Sequence, residues 1–335
     1  MIAAYTGQGS TVDGIEVVKL GDAAHGLAVS IAPAVGNMAY EIQSAGENLL
    51  WFPCDGPGEL QSKPVLCGIP FLGPWANRID GDAYWVNGRH YLLNPELGNL
   101  RRDSHQKPIH GLLNFSPDWR LVSSGCDAGS AWASSRLEFA AQPALMAQFP
   151  FAHTITMTHR LAGGELEVET CLENQSAEPM PVAIGYHPYF RLPGAPRDEW
   201  RVHLAARDHL ALDDLLMPTG ERRPAAGDFA DPHALRAGPL DDVFCNLIRD
   251  PDGCARFWVE AAARRLTVTY GPKYTVAVVF APAGRDFICF EPMAAITNAF
   301  NLAHAGQYPE LQHIPPGAQW RESFWVKFEA GEKAG

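Results

Sequence analysis

Cations are scarce in this chain of 335 residues: 26 Lys and Arg stand against 38 Asp and Glu, for a net charge of −12 and a pI near 5.4. Nucleic-acid affinity comes from clustered cations that displace counterions, so this balance excludes a nucleic-acid partner and argues against a polyanionic ligand. Long apolar runs are missing as well. No window reaches the ~20 apolar residues that span a bilayer, and residues 1–14 lack a basic stretch followed by an apolar one. The expectation is no membrane partner and a cytoplasmic location. The seven cysteines are odd in number and scattered from Cys54 to Cys289 with no C-x-x-C pair, which reads as reduced thiols. There is no G-x-G-x-x-G after a strand, no G-x-x-x-x-G-K-[ST], no H-E-x-x-H and no G-x-S-x-G, so nucleotide, redox and serine-hydrolase chemistry recede and no cofactor is expected. His105 and His110 lie close in sequence, but in a proline-containing loop without cysteine partners, and no metal is expected there.

Sustained helical stripes are also rare; period-2 alternation takes their place. In residues 165–173 glutamates alternate with Leu166, Val168, Thr170 and Leu172, the pattern of a strand with one wet and one dry face. The period recurs in residues 153–161, and β-rich runs fill 27–31, 132–139, 266–270, 274–280 and 324–328, separated by Gly, Pro, Asn and Asp. Residues 83–92 read as a hairpin turning at Asn87-Gly88, a pair suited to a type I′ turn. Residues 140–149 allow a short helix at best, interrupted by Pro143. The expected fold is all-β, a large antiparallel sandwich of two sheets. The 31 Gly and 27 Pro are spread evenly and mark no linker, so residues 1–335 are expected to form one domain.

Two ionisable residues stand inside apolar, strand-like runs, each followed by proline: His187 in Gly185-Tyr186-His187-Pro188-Tyr189-Phe190 and Glu291 in Cys289-Phe290-Glu291-Pro292. Proline holds the preceding residue extended and offers no N–H to a sheet, which places both side chains where regular pairing stops. If residues 182–189 are extended, His187 shares a face with Ala183, Gly185 and Tyr189, while Glu291 shares one with Phe287 and Cys289. A core histidine and a strand-end carboxylate would need no further explanation singly; together they are a proton donor and a proton acceptor. Residues 68–80 add Phe71, Trp75, Asn77 and Arg78 among turn formers, a flat ring with planar amide and guanidinium groups of the kind that holds a sugar. His110 beside Gly111 is a further candidate. Leu212-Asp213-Asp214-Leu215 and Leu240-Asp241-Asp242-Val243 read as turn or strand-entry sequences.

The order of these segments resembles the aldose 1-epimerase, or galactose mutarotase, family. It is carried by Ala76-Asn77-Arg78-Ile79, the Asn-Gly hairpin, His110-Gly111, Gly185 through Phe190, Leu216-Met217-Pro218-Thr219-Gly220, Asp241-Asp242-Val243-Phe244, and Phe290-Glu291-Pro292 through Asn298-Ala299-Phe300-Asn301, across roughly residues 46–328. The resemblance implies a galactose mutarotase-like supersandwich that interconverts the α and β anomers of a free monosaccharide. It implies His187 as general acid and Glu291 as general base, with Asn77, Arg78, His110 and Asp241 binding the sugar or supporting the pair. Relatives often carry G-R-x-A-N-R, whereas here Gly73 is followed by Pro74, a departure that bears on sugar preference.

The chemistry suits the two residues independently. Opening a pyranose removes the proton of the C1 hydroxyl and protonates the ring oxygen, so one base and one acid must flank the anomeric centre. A hexose-6-phosphate epimerase would share this machinery but needs a cationic pocket, for which Arg78, Arg101 and Arg102 are the clustered candidates. A sugar-binding module would need no acid–base pair, and a glycoside hydrolase usually works with two carboxylates.

Overall fold

Alternation builds the larger sheet. In the computed structural model, which describes residues 4–330, Glu165–Asn174 is a ten-residue strand that buries Leu166, Val168, Thr170 and Leu172 and leaves its glutamates partly in water. It pairs antiparallel with His153–Ala162 on one side and Gln319–Ala330 on the other. Nine strands in all run from His233–Ala234 at one edge to Arg120–Cys126 at the other. A second sheet of eight strands sets Ala206–Leu212, Leu240–Leu247, Val276–Ala281 and Ile288–Met293 side by side. Rings fill the space between the two: Tyr186 lies 4.7 Å from Phe324, and Phe257 lies 6.2 Å from Phe290, centroid to centroid. A five-stranded meander from Tyr5–Val12 to Glu47–Asn48 adds Val18, Leu20, Val29 and Ile31 to the same core. The all-β sandwich expected from the alternation is what forms.

The hairpin is as read, Ala83–Val86 against Arg89–Leu92, with φ of 52° at Asn87 and 72° at Gly88 as a type I′ turn requires. Four readings need correction. Glu291 does not sit where pairing stops: the strand Ile288–Met293 continues through Pro292, with Glu291 opposite Val278 and Met293 opposite Val276. Residues 182–189 are not one strand but Met180–Val182, Gly185–Tyr186 and Tyr189–Phe190. The breaks arise because backbone donors turn to a neighbouring loop: His187 N bonds Pro70 O at 3.1 Å and Tyr189 N bonds Gly68 O at 2.8 Å. The strand placed at 274–280 begins only at Val276, since Tyr274 N closes a turn onto Gly271 O. Pro143 does not interrupt a helix but opens one, Pro143–Gln148, where its missing N–H costs nothing. Of the two Asp-Asp segments, Asp213 caps a turn through Leu215 N and Met217 N, whereas Asp241 and Asp242 enter the strand Leu240–Leu247.

Candidate active site

Strand register assembles one wall. Asp241 pairs with Phe280, Phe280 with Cys289 and Cys289 with Tyr189, so four adjacent strands contribute one cross-sheet row on a common face. Glu291, two residues beyond Cys289, lies on that face one row further along. Tyr186 points the other way, its hydroxyl 2.5 Å from Thr170 Oγ1 in the core, which turns His187 back toward the wall. There the His187 ring stacks on Tyr189 at 4.6 Å with planes 9° apart, and its Nε2 meets Glu291 Oε1 at 3.3 Å. The predicted face-sharing of His187 with Tyr189, and of Glu291 with Cys289, holds although the regular strand does not. Gly185 permits the approach: a Cβ there would sit 2.2 Å from Met293 Sδ and 3.0 Å from Pro292 O, directly behind Glu291.

Two loops supply the opposite wall. His110 N bonds Asn77 O at 2.8 Å, Ile79 N bonds Pro108 O at 3.0 Å, and Leu112 N bonds Gly73 O at 2.7 Å, locking residues 73–79 against 108–112. Asn77 and His110 both take left-handed backbone angles, φ 53° and 64°. Such conformations cost on the order of 1 kcal/mol at a residue like His110 and persist where surrounding contacts enforce them. Gly111 is required for the contact, because a Cβ would fall 2.2 Å from Gly73 O. The result aims the buried His110 ring edge-on at His187, 5.3 Å away at 89°.

Arg78 reaches the same space with its guanidinium fixed. Its Nε donates to Asp103 Oδ2 at 2.6 Å, while Asp103 Oδ1 accepts from His105 N and Lys107 N, both at 2.9 Å. Asp103 is therefore the post on which Arg78 is held; its own burial raises its pKa, but Arg78 and the backbone donors outweigh that and hold it low. Asp241 is exposed to solvent. Enough protein packs around its carboxyl to raise its pKa, Arg78 opposing and Asp242 adding, with solvent access tempering the rise.

Burial dominates the electrostatics of His187 and Glu291. Glu291 is pushed well above the usual carboxyl range by desolvation, with Asp241 adding and Arg78 opposing. His187 falls to about 3, chiefly by desolvation with a contribution from Arg101. His110 drops well below its ordinary value through burial, then through His187, Arg101 and Arg78. Burial thus favours a neutral carboxylic acid beside a neutral imidazole across the 3.3 Å contact.

His187, Glu291, Arg78, His110 and Asp241 therefore converge, with the backbone of Asn77 holding the loop that carries His110. His105 does not join them: it is exposed in the turn capped by Asp103. Arg102 is a structural pair, bidentate to Asp82 at 2.9 and 3.0 Å. Arg101 is exposed, carries no ion pair among the described residues, and its charge is felt at His187 and His110. Cys289 and Phe280 belong to the site, and strand parity carried part of that signal. Asp103 carried none, being 25 residues from the arginine it holds. Size does not pick the site: a hollow of about 550 Å³ lined by Glu199, Arg201, Glu260 and Arg264 contains ion-pairing side chains but no buried acid–base pair.

A family model described as aldose 1-epimerase matches residues 20–327. An Escherichia coli K12 protein called uncharacterized protein YphB is 30% identical over 267 residues, covering 77% of this chain and 82% of its own length. Human galactose mutarotase is 29% identical over 225 residues, 63% of this chain and 61% of that one. A crystal structure of a galactose mutarotase-like protein from Clostridium acetobutylicum aligns with a TM-score of 0.85 at 21% identity, covering 96% of this chain and 98% of the other, a likeness of fold.

Proposed function

Because this chain belongs to the aldose 1-epimerase family, we propose that it interconverts the α and β anomers of a free aldohexose, with Glu291 as general base and His187 as general acid. The observation that carries the reading is the buried contact of His187 Nε2 with Glu291 Oε1 at 3.3 Å, ringed by Arg78, His110 and Asp241. A pyranose would take over each group's contact with the other, O1 to Glu291 and O5 to His187. The Glu291 carboxylate removes the O1 proton, the C1–O5 bond breaks, and His187 delivers its proton to O5, leaving a C1 aldehyde. Rotation about C1–C2 presents the other face. O5 then attacks C1, His187 takes the O5 proton back, and Glu291 returns a proton to O1. Opening converts carboxylate plus imidazolium into carboxylic acid plus imidazole, and the second is the form that burial favours. The pair needs one proton in total throughout, and Arg78 and His110 steady the charge that develops on sugar oxygens.

Polarimetry tests the activity directly: fresh α-D-glucose or α-D-galactose should relax to anomeric equilibrium faster in proportion to added protein, and no acceleration with any free aldose would end the proposal. A one-proton pair also sets the pH dependence. With His187 lowered to about 3 and Glu291 raised, the pair carries one proton through neutrality, gaining a second only at the acid end and losing the first only at the alkaline end. The turnover rate should be flat through neutrality and fall at the acid and alkaline ends; a single sigmoid centred near pH 6.5, the ordinary imidazole value, would contradict a pair that keeps one proton through neutrality.

No step draws on a metal or cofactor, so activity should survive exhaustive chelation without additions. Loss on chelation and recovery with one metal would contradict this. Within this reading the monosaccharide is the partner, residues 1–335 act as one catalytic domain, and seven unpaired cysteines suit the reducing cytoplasm. Among the described residues no helix is long and apolar enough to cross a membrane.

A further inference from the structure

We propose that His187, Cys289 and Glu291 also form a binding site for a divalent cation of the Zn²⁺ or Cd²⁺ class, and that its occupation blocks the anomerisation proposed above. Each residue is buried and offers one ligand atom, and the three atoms lie within 4.8 Å of one another. The Nε2–Oε1 distance of 3.3 Å matches the edge of a tetrahedron whose metal–ligand bonds are about 2.0–2.1 Å. Neither residue is fully committed elsewhere in the protein: Glu291 Oε2 and His187 Nδ1 have no hydrogen-bond partner, although the residues are only 1% and 7% exposed.

The charges close as well. A thiolate, a carboxylate and a neutral imidazole together carry −2, which cancels a divalent cation and removes the cost of burying it alone. Coordination expels the proton of the Cys289 thiol and that of the Glu291 carboxyl, both released to solvent. The thiolate selects the class, because sulfur favours Zn²⁺ and Cd²⁺ over Mg²⁺ and Ca²⁺. Three protein ligands leave a fourth position for water, the pattern of an open metal site. Binding would occupy both proton-transfer groups at once, so sugar turnover and cation occupancy exclude each other. The block on turnover rests on the anomerase reading; the site itself does not.

The test measures binding and turnover separately. Titrating Cd²⁺ into the protein, freed of metal by prior chelation, should give a sulfur-to-cadmium charge-transfer absorption that saturates at one equivalent, and Zn²⁺ should compete for it while Mg²⁺ does not. In parallel, saturating Zn²⁺ should suppress anomer exchange at least tenfold, reversed by chelator. Cys289→Ala should abolish the absorption and weaken binding by more than the ~10–100-fold that loss of an outer-shell partner costs. Whatever rate that variant retains should no longer respond to the Zn²⁺ concentration that inhibits the natural protein. Glu291→Gln should weaken Cd²⁺ binding while keeping the thiolate band at higher concentration. A band that persists in Cys289→Ala assigns the cation to another cysteine and overturns the site, as does a natural protein that shows no band. A band with the expected variant pattern in a protein without anomerase activity upholds the site and removes only the function.

Discussion

Glu291→Gln and His187→Asn should each lower the rate of anomer interconversion by ~10²–10⁴, the span that a positioned general acid or base typically supplies. Glutamine keeps the shape and a hydrogen-bonding oxygen at position 291 but accepts no proton at neutral pH; asparagine likewise cannot cycle a proton at 187. The fold should survive both. Burial already favours a protonated, neutral Glu291, so a neutral amide leaves no charge uncompensated, and Glu291 Oε2 has no protein partner to lose. Circular dichroism and a Tm close to that of the natural protein would establish folding, and polarimetry with the spontaneous rate subtracted would give the loss. A folded variant that turns over near the natural rate would remove that residue from the mechanism.

Substrate charge should also matter, by a smaller factor. A phosphate taken from water needs several cations around it, because its desolvation costs several kcal/mol unless paired. The cations near this cleft are engaged: Arg78 with Asp103 at 2.6 Å, Lys107 with Asp80 at 2.5 Å, and Arg102 with both oxygens of Asp82. Arg101 carries no ion pair among the described residues, and one exposed cation contributes no more than ~1 kcal/mol. Residue 74, beside Gly73 in the same loop, is a proline and adds no cation. A neutral aldohexose should therefore show a kcat/KM at least ~10-fold above that of its 6-phosphate, the equivalent of ~1.4 kcal/mol. Both can be measured by exchange NMR at one pH. A preference for the phosphate that disappears in Arg101→Ala or Arg102→Ala would turn the assignment toward a sugar-phosphate epimerase.

What was legible in the sequence followed from periodicity and from proline. Alternation in residues 165–173 exposed a two-faced interior strand of the larger sheet, and Asn87-Gly88 marked the turn of the separate hairpin 83–92 because few residue pairs accept two positive φ angles. His187-Pro188 and Glu291-Pro292 stood out because an ionisable group precedes proline in an apolar run; pairing does stop at His187 but continues through Glu291 and Pro292, and strand parity grouped Tyr189 with His187 and Cys289 with Glu291. Contacts between distant segments were not legible. Nothing local says that Asp103 holds Arg78, that Asp82 holds Arg102, or that residues 68–70 accept the backbone bonds which break residues 182–189 into pieces. Asp241 resembles Asp213 in its sequence neighbourhood; what separates them is the register that seats Asp241 across from Phe280, two strands from Cys289. The His187–Cys289–Glu291 triad combines both kinds of information, since parity places Cys289 with Glu291 but the fold alone brings His187 to them.

Exchange NMR on a free aldose and on its methyl glycoside, side by side with the same protein, probes ring opening most directly. A free aldose has a proton on O1 for Glu291 to remove, whereas the glycoside carries a methyl group there and cannot open by this route. Magnetisation should pass between the α and β C1 protons of the free sugar at a rate proportional to protein, with no exchange between the anomers of the glycoside. Anomerisation of the methyl glycoside, or a free-sugar rate that does not rise with protein, would contradict opening and reclosure by His187 and Glu291.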